Sequence, residues 1–148
     1  MDFSASDWVG IGLAEAILSG EGPPLFIAAS RGCIAAVKVM TEAGTNLEVT
    51  GPGRRRPLHA AAAEGHAGIV GILLGAGCEI DPQDEDGNTP LIVGILNGQA
   101  STVEFLLAVG ADASIARLDG LTAFHVAQLP GTPHGIRELL ELGRTTDD

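Results

Sequence analysis

The chain has 148 residues, and its 19 acidic against 8 basic side chains give a formal net charge of −11. Such an excess of carboxylates argues against binding to nucleic acid or to an anionic membrane surface, because both need clustered lysine and arginine. Apolar residues make up 45% of the sequence but aromatic residues only 3%, so we expect a single domain with a core of alanine and branched aliphatic side chains.

The first predicted element is a helix within residues 4–19. Ser4 and the acidic residue three positions later have the spacing of a capping box, and Leu13 and Ile17 follow at helical spacing before Gly20. We expect this helix to cover the apolar end of the unit that follows it.

No targeting segment is predicted. The N-terminal residues MDFSASD are acidic where a secretory leader would be basic, and no apolar run nears the roughly 18 residues of a membrane-spanning helix. We therefore expect a cytoplasmic protein, in which Cys33 and Cys78 stay reduced as small residues in or near the core.

From residue 24 onward, three landmarks recur at a period of 33 residues. They are a proline at Pro24, Pro57 and Pro90, replaced by Ala123; a first glycine at Gly32, Gly65, Gly98 and Gly131; and a second glycine at Gly44, Gly77, Gly110 and Gly143. Proline fits the first position of a helix, and glycine fits the left-handed residue just past a helix end. Each unit is therefore predicted to hold two short helices, which need stacked neighbours because neither is stable alone in water.

The third unit shows the expected local structure most fully. Asp86 and Gly87 predict a tight turn. Thr89 then caps the first helix, and Pro90 takes its first position. The residues predicted to be buried on the second helix are Val103, Leu106 and Leu107.

The fourth unit departs from this pattern at Pro130, which is expected to stop its first helix early. Thr132 and Pro133 then restart the second helix as its N-cap and first residue. Residues predicted to pack on the third unit are Ile136, Leu139 and Leu140. Residues predicted to face water are Arg137, Glu138 and Glu141, and the tail 144–148 is expected to fray.

The stretch Arg56–Asp81, RPLHAAAAEGHAGIVGILLGAGCEID, closely resembles the ankyrin repeat. The matching residues are Pro57, Leu58, His59, Ala61, Ala62, Gly65, His66, Ile69, Val70, Leu73, Leu74 and Gly77, and the period of 33 residues is the one this family is known by. The resemblance implies an all-α ankyrin-repeat solenoid of stacked helix–turn–helix units with β-hairpin-like loops and a capping helix at the N-terminus. Within a single domain over residues 1–148, the predicted parts are the capping helix 1–20, repeat 1 (21–50), repeat 2 (51–83), repeat 3 (84–116), a C-terminal capping repeat 4 (117–143) and the tail 144–148.

Two histidines, His59 and His125, occupy the same place in repeats 2 and 4, where repeats 1 and 3 carry Phe26 and Ile92. In the resembled family this imidazole forms hydrogen bonds around the start of its helix and ties neighbouring turns together. We therefore expect a structural role for both histidines, and also for His66, in place of catalysis or metal binding.

The acidic run from Glu79 to Asp86 does not match a calcium-binding loop. With Gly87 in the glycine position of an EF-hand, the first and last ligands would be Pro82 and Val93, which have no side-chain oxygen. The run is either a solvated hairpin or an acidic tip that contacts a basic partner. No metal, cofactor or catalytic motif occurs elsewhere, so no enzyme activity is expected.

Three consecutive arginines, Arg54, Arg55 and Arg56, stand where the resembled family prefers Gly-x-Thr. We expect them to pair with the acidic tip of repeat 3, although exposed pairs contribute only about 0.2–1 kcal/mol. A contact with a partner is the alternative.

In ankyrin-repeat proteins, partners are usually held in a concave groove formed by the hairpin tips and the exposed side of each first helix. By position, the resemblance implies a set that we call the predicted groove: Arg55 and Glu64 from repeat 2, Glu85, Asp86, Asn88, Leu96 and Asn97 from repeat 3, and Leu118, Asp119, Leu121 and Leu129 from repeat 4. Leucines at positions where a solvated solenoid would carry polar residues, together with an acidic border, favour an apolar hot spot for binding. The alternative is that Leu118 and Leu129 pack within the C-terminal cap.

These features predict a non-enzymatic, monomeric protein-binding module, either an adaptor or a stoichiometric inhibitor. The charge favours a basic protein partner, but it could equally serve only to keep the solenoid soluble. A narrower alternative is a small bacterial immunity protein or antitoxin that masks a basic effector, which one lysine against seven arginines, as in a GC-rich coding sequence, would fit. A further alternative is a self-assembling structural unit that stacks through an uncovered apolar end.

Overall fold

The computed structural model describes residues 20–146, so the predicted N-terminal helix and the last two residues lie outside the described range. Within that range the chain forms eight α-helices and one short 3-10 helix, and it has no β-strand. The α-helices are α1 (Pro24–Arg31), α2 (Ile34–Glu42), α3 (Pro57–Ala63), α4 (Ala67–Gly75), α5 (Pro90–Leu96), α6 (Ala100–Ala108), α7 (Ala123–Ala127) and α8 (His134–Thr146), and the 3-10 helix is Pro52–Arg54.

The eight α-helices form two stacked rows, because each repeat contributes one helix to each row. The first helices α1, α3, α5 and α7 contact one another in chain order, and the second helices α2, α4, α6 and α8 do the same. The two helices of each repeat also contact each other. This arrangement, in which the main contacts of a repeat are with its neighbours, is that of a solenoid, and the predicted all-α repeat fold is confirmed.

Small and branched aliphatic side chains form the core. Ala28, Ala61 and Ala62 are fully buried and let the first helices approach closely. Leu91 of α5 and Leu106 of α6 are also 0% exposed. Of the predicted stripe on α6, Val103 is likewise fully buried and Leu107 is partly buried.

The helix starts and stops of repeat 3 follow the predicted chemistry. Thr89 caps α5, because its hydroxyl oxygen accepts a hydrogen bond from the main-chain N–H of Ile92 at 3.3 Å. Pro90 is the first residue of that helix. Gly98 follows its end with a φ of +68°, a left-handed conformation that glycine adopts without strain.

Repeat 4 differs from the prediction at Arg137, which is half-buried and bonded within its repeat instead of pointing freely into water. Its Nε donates to the carbonyl oxygen of Ala127 at 2.9 Å, and its Nη2 donates to that of Leu129 at 3.1 Å. Ala127 is the last residue of α7, and the final carbonyl groups of a helix have no partner within it, so this one accepts the side-chain donor instead. Leu129 lies in the loop just after the helix. Ile136 and Leu140 are buried, as predicted.

The last helix differs from the prediction at both ends: α8 begins at His134, one residue after the predicted Pro133, and continues to Thr146, past the landmark Gly143. Glycine inside a helix costs only about 1 kcal/mol relative to alanine, so it need not end one. Glu138 and Glu141 are exposed, as predicted. His134 Nε2 lies 2.9 Å from Glu138 Oε1, one turn further along the helix.

Neighbouring loops contact each other through main-chain hydrogen bonds. The N–H of Glu85 donates to the carbonyl oxygen of Gly53 at 2.9 Å, and the N–H of Leu118 donates to that of Asp86 at 3.1 Å. Gly87 has a φ of +85°, and a Cβ atom built on it would lie 2.6 Å from the nitrogen of Leu118. The loop tips of repeats 2, 3 and 4 are therefore held side by side.

Replacing Gly87 with alanine is expected to destabilise the fold by about 2–4 kcal/mol, because left-handed backbone strain adds to a clash with the next loop. Gly120→Ala is the matched control. Gly120 has nearly the same φ, +87°, but its Cβ would meet nothing within 4 Å, so only the strain of about 1–2 kcal/mol should remain. Chemical unfolding followed by circular dichroism compares the two variants, and equal losses would contradict the close approach of the loops.

Candidate functional site

Three leucines of the predicted groove are exposed to solvent. The exposed fraction is 47% for Leu96 at the end of α5, 79% for Leu118 in the loop of repeat 4, and 40% for Leu129 after α7. Leu121 is half-buried and packs against the core. The exposure of Leu118 and Leu129 argues against the alternative that these two side chains pack within the C-terminal cap.

Carboxylates border these leucines. The exposed polar members of the predicted groove are Glu64, Glu85, Asp86, Asn97 and Asp119. Two nearby cations are already paired with carboxylates, since Arg117 lies 3.3 Å from Asp119 and Arg55 lies 3.6 Å from Asp84. Among the described residues, Glu64, Glu85 and Asp86 form no ion pair, so the exposed charge of the predicted groove is negative.

One residue of the predicted groove belongs to the interior instead. Asn88 is only 6% exposed, and its Nδ2 lies 3.4 Å from Asp84 Oδ2. Its carbonyl oxygen is 2.8 Å from His59 Nε2. Asn88 therefore holds its loop against repeat 2 and is too buried to contact a partner.

The three arginines of repeat 2 have three different environments. Arg55 pairs with Asp84 of repeat 3, as predicted. Arg56 pairs with Glu48 at 3.0 Å and Glu79 at 2.7 Å, so it joins repeats 1 and 2 rather than contacting the acidic tip. Arg54 is exposed with a φ of +59°, and no pairing with the tip is present for it in the described part of the chain.

His59 ties neighbouring turns together, whereas His125, among the described residues, makes only a local bond. In repeat 2, the main-chain N–H of Arg56 donates to His59 Nδ1 at 3.0 Å, which leaves His59 Nε2–H to donate to Asn88 of the next repeat. Burial lowers the pKa of His59 below its ordinary value. His125 makes the same local bond with Thr122 at 3.0 Å but is exposed, and it lines an open depression of about 360 Å³ at the end of repeat 4.

Metal ligands, reactive cysteines and membrane-spanning helices were the other features to look for in the described range. Among residues 20–146, no group of three or more His, Cys, Asp or Glu side chains is placed to hold a metal ion. Cys33 and Cys78 are free and half-buried. Burial, with Glu48 and Glu79 nearby, raises the pKa of Cys78 to about 12, which leaves it a poor nucleophile at neutral pH. No helix of this range is both long and apolar enough to cross a membrane.

A cleft of about 170 Å³ opens between repeats 3 and 4, and sequence reasoning did not predict it. Its lining includes Leu96 and Leu129 of the predicted groove together with Val126, Pro130 and Thr132. Thr132 lies one period of 33 residues after Gln99 and two periods after His66, and its side chain is shorter than either. This shortening is the sequence signal that could have revealed the cleft.

Comparison with protein families gives one clear match. A family model described as "Ankyrin repeats (3 copies)" matches residues 25–116 and, in an overlapping placement, residues 58–148. The model holds three copies, whereas the landmarks of this sequence count four. A search of curated proteins finds no match. The matched region covers most of the chain, and with the stacked helix pairs described above it shows that this protein belongs to the ankyrin-repeat family.

Proposed function

We propose that this chain is a non-enzymatic binding module that holds a protein partner in the predicted groove and acts as an adaptor or a stoichiometric inhibitor. Ankyrin repeats are generally protein–protein interaction modules, and the family is typically non-enzymatic. The observation that carries the proposal is the exposure of Leu96, Leu118 and Leu129 beside carboxylates that form no ion pair. Burying exposed apolar side chains of this kind against a partner removes them from water and so favours binding.

The same surface supports a basic partner. Each unpaired carboxylate attracts a cationic surface and raises its association rate, whereas an acidic partner would meet like charge. An inhibitor of a basic effector, including an antitoxin or immunity protein, is the narrowest form of this proposal. The charge of the groove favours such a partner but does not distinguish an antagonist from an adaptor.

Replacing Leu96 and Asp86 together with arginine is expected to weaken binding of a co-purified partner at least about 30-fold, because a hot-spot residue contributes about 2 kcal/mol or more. Both side chains are exposed, so the fold should survive. The measurement is the dissociation constant by calorimetry, with circular dichroism of each free variant.

The matched control is Val109→Arg with Glu104→Arg. These residues lie on and after α6, in the second row of helices; Val109 is 46% exposed, close to the 47% of Leu96. The control makes the same change of charge and should leave the affinity within about twofold. Unchanged binding by the folded groove variant would remove the proposed site.

Sedimentation of the free protein across concentration separates partner binding from self-assembly, in which the chain would associate with itself.

A further inference from the structure

Neighbouring repeats are joined by a series of side-chain donors at the start of the second helices. His66 Nε2 lies 3.2 Å from the carbonyl oxygen of Ser30, and Gln99 Nε2 donates to the carbonyl oxygen of Ala63 at 3.0 Å. Both bonds span 36 residues and run from one repeat back to the repeat before it. The side chain just before each second helix therefore bridges the gap between its own repeat and the preceding one, at the end of the preceding repeat's first helix.

Repeat 4 interrupts this series. The equivalent pair, at the same separation in sequence, is Thr132 and the carbonyl oxygen of Leu96. Thr132 Oγ1 instead lies 3.4 Å from the carbonyl oxygen of Val126, within its own repeat. In the described part of the chain no side-chain donor reaches the carbonyl oxygen of Leu96, which carries partial negative charge because it ends a helix.

The space that the longer side chains fill elsewhere is open at this junction. A Cβ atom built on Gly65 would lie 2.4 Å from Gln99, and one built on Gly32 would lie 2.8 Å from His66. On Gly98, the equivalent residue at the third junction, the nearest atom would be a ring carbon of Pro133 at 3.5 Å. The cleft of about 170 Å³ occupies this position.

The chemistry of the cleft defines what fits it. A carbonyl oxygen needs an N–H or O–H donor, and the walls formed by Leu96, Leu129 and Pro130 favour an aliphatic stem. Among the described residues, no cation lines the cleft, and Arg137 of the same repeat already donates to the carbonyl oxygens of Ala127 and Leu129. Arginine and lysine carry donors only, on an aliphatic stem, and their charge complements the exposed carboxylates of the predicted groove.

We propose that the cleft between Leu96 and Thr132 receives a basic side chain of the protein partner, whose N–H donates to the carbonyl oxygen of Leu96. The partner thereby completes the series that His66 and Gln99 begin. This inference rests on the proposed function and specifies the partner: a segment with arginine or lysine at its centre and apolar neighbours that contact the exposed leucines.

Thr132→Gln tests the inference, because glutamine has the length and the donor that Gln99 uses at the previous junction. The variant is expected to close the cleft from within and to raise the melting temperature by about 2–4 °C. A direct probe is the blocked peptide acetyl-Leu-Arg-Leu-amide, followed by NMR titration of the full chain. We expect shifts at residues 95–98 and 129–132, and at least tenfold weaker binding by the glutamine variant.

Two controls make the result specific. The same peptide with citrulline in place of arginine keeps the stem and N–H donors but loses the charge, so it should bind about tenfold more weakly. Gln99→Thr opens the previous junction instead and should lower the melting temperature while leaving the shifts at residues 129–132 unchanged. Absence of peptide binding, shifts located elsewhere, or equal affinity of the Thr132→Gln variant would each overturn the inference.

The co-purified partner separates this inference from the proposed function. If Thr132→Gln binds the partner as well as the unmodified chain does, while the Leu96 and Asp86 double variant does not, the cleft proposal fails and the groove proposal stands. If both variants bind normally, both proposals fail. Weaker binding by both variants supports both.

Discussion

Replacing Leu91 with alanine is expected to destabilise the fold by about 2–5 kcal/mol, through lost apolar burial and the cavity left behind. Leu91 is 0% exposed on α5, a helix that contacts both α3 and α7 in the first row. A cavity here weakens two junctions between repeats at once, and each short helix depends on those junctions for its stability. Urea unfolding followed by circular dichroism measures the loss as a lower midpoint.

The control for this prediction is the same chemical change at Leu118, which is 79% exposed. Leu118→Ala removes little buried surface and should change the stability by less than about 0.5 kcal/mol. If the proposed function is correct, this variant should instead reduce the affinity of the chain for its protein partner. If the two alanine variants lost equal stability, the assignment of Leu91 to the core and Leu118 to the binding surface would be wrong.

The scaffold could be predicted from the sequence because its determinants are local. Thr89 and Pro90 specify the start of a helix, and Gly98 specifies its end, through chemistry that each residue carries by itself. Repetition at a fixed period then makes every unit a neighbour of the next. The exposure of Leu96 could be predicted for the same reason, since its place on the repeat determines which side of α5 it occupies.

The remaining features could not be predicted because they depend on which groups lack a partner after folding. Arg137 is half-buried because it donates to the carbonyl oxygens of Ala127, at the end of α7, and of Leu129, in the loop that follows. Asn88 becomes buried because its loop closes against His59. The cleft at Thr132 exists because a side chain is too short to reach across a junction. Asn88 and Thr132 depend on contacts between repeats, and Arg137 depends on a contact between the two helices of its own irregular repeat. The pattern of a regular repeat contains neither kind of contact.

His59 provides the second large predicted effect. Replacing it with alanine is expected to cost about 2–4 kcal/mol, because the half-buried N–H of Arg56 loses its acceptor and a fully buried ring is removed. The carbonyl oxygen of Asn88 also loses the His59 donor and keeps only its bond from the N–H of Asp84. His125→Ala is the matched control, since His125 makes the same bond within its own turn but is exposed. That variant should lose only about 0.5–1 kcal/mol. Equal losses would show that the bond between repeats 2 and 3 contributes little.

The same histidine is expected to make stability depend on pH. His59 Nδ1 accepts a main-chain N–H, so a proton added there would break that bond, and burial already lowers the pKa of the ring below its ordinary value of 6.5. Asp84 nearby opposes this shift and Arg55 supports it. As the pH falls below 6.5, this side chain therefore binds a proton more readily in the unfolded chain than in the folded chain.

The stability that neutral His59 contributes is consequently complete above that pH and is lost as the pH falls, with a slope of at most about 1.4 kcal/mol per pH unit. His59→Gln keeps a polar side chain that does not titrate, so it should remove this slope between pH 7 and pH 5.5. Urea midpoints of both proteins across that range measure the difference. If their slopes were identical, the buried imidazole would not be the group that responds to pH, and the junction between repeats 2 and 3 would be insensitive to protonation.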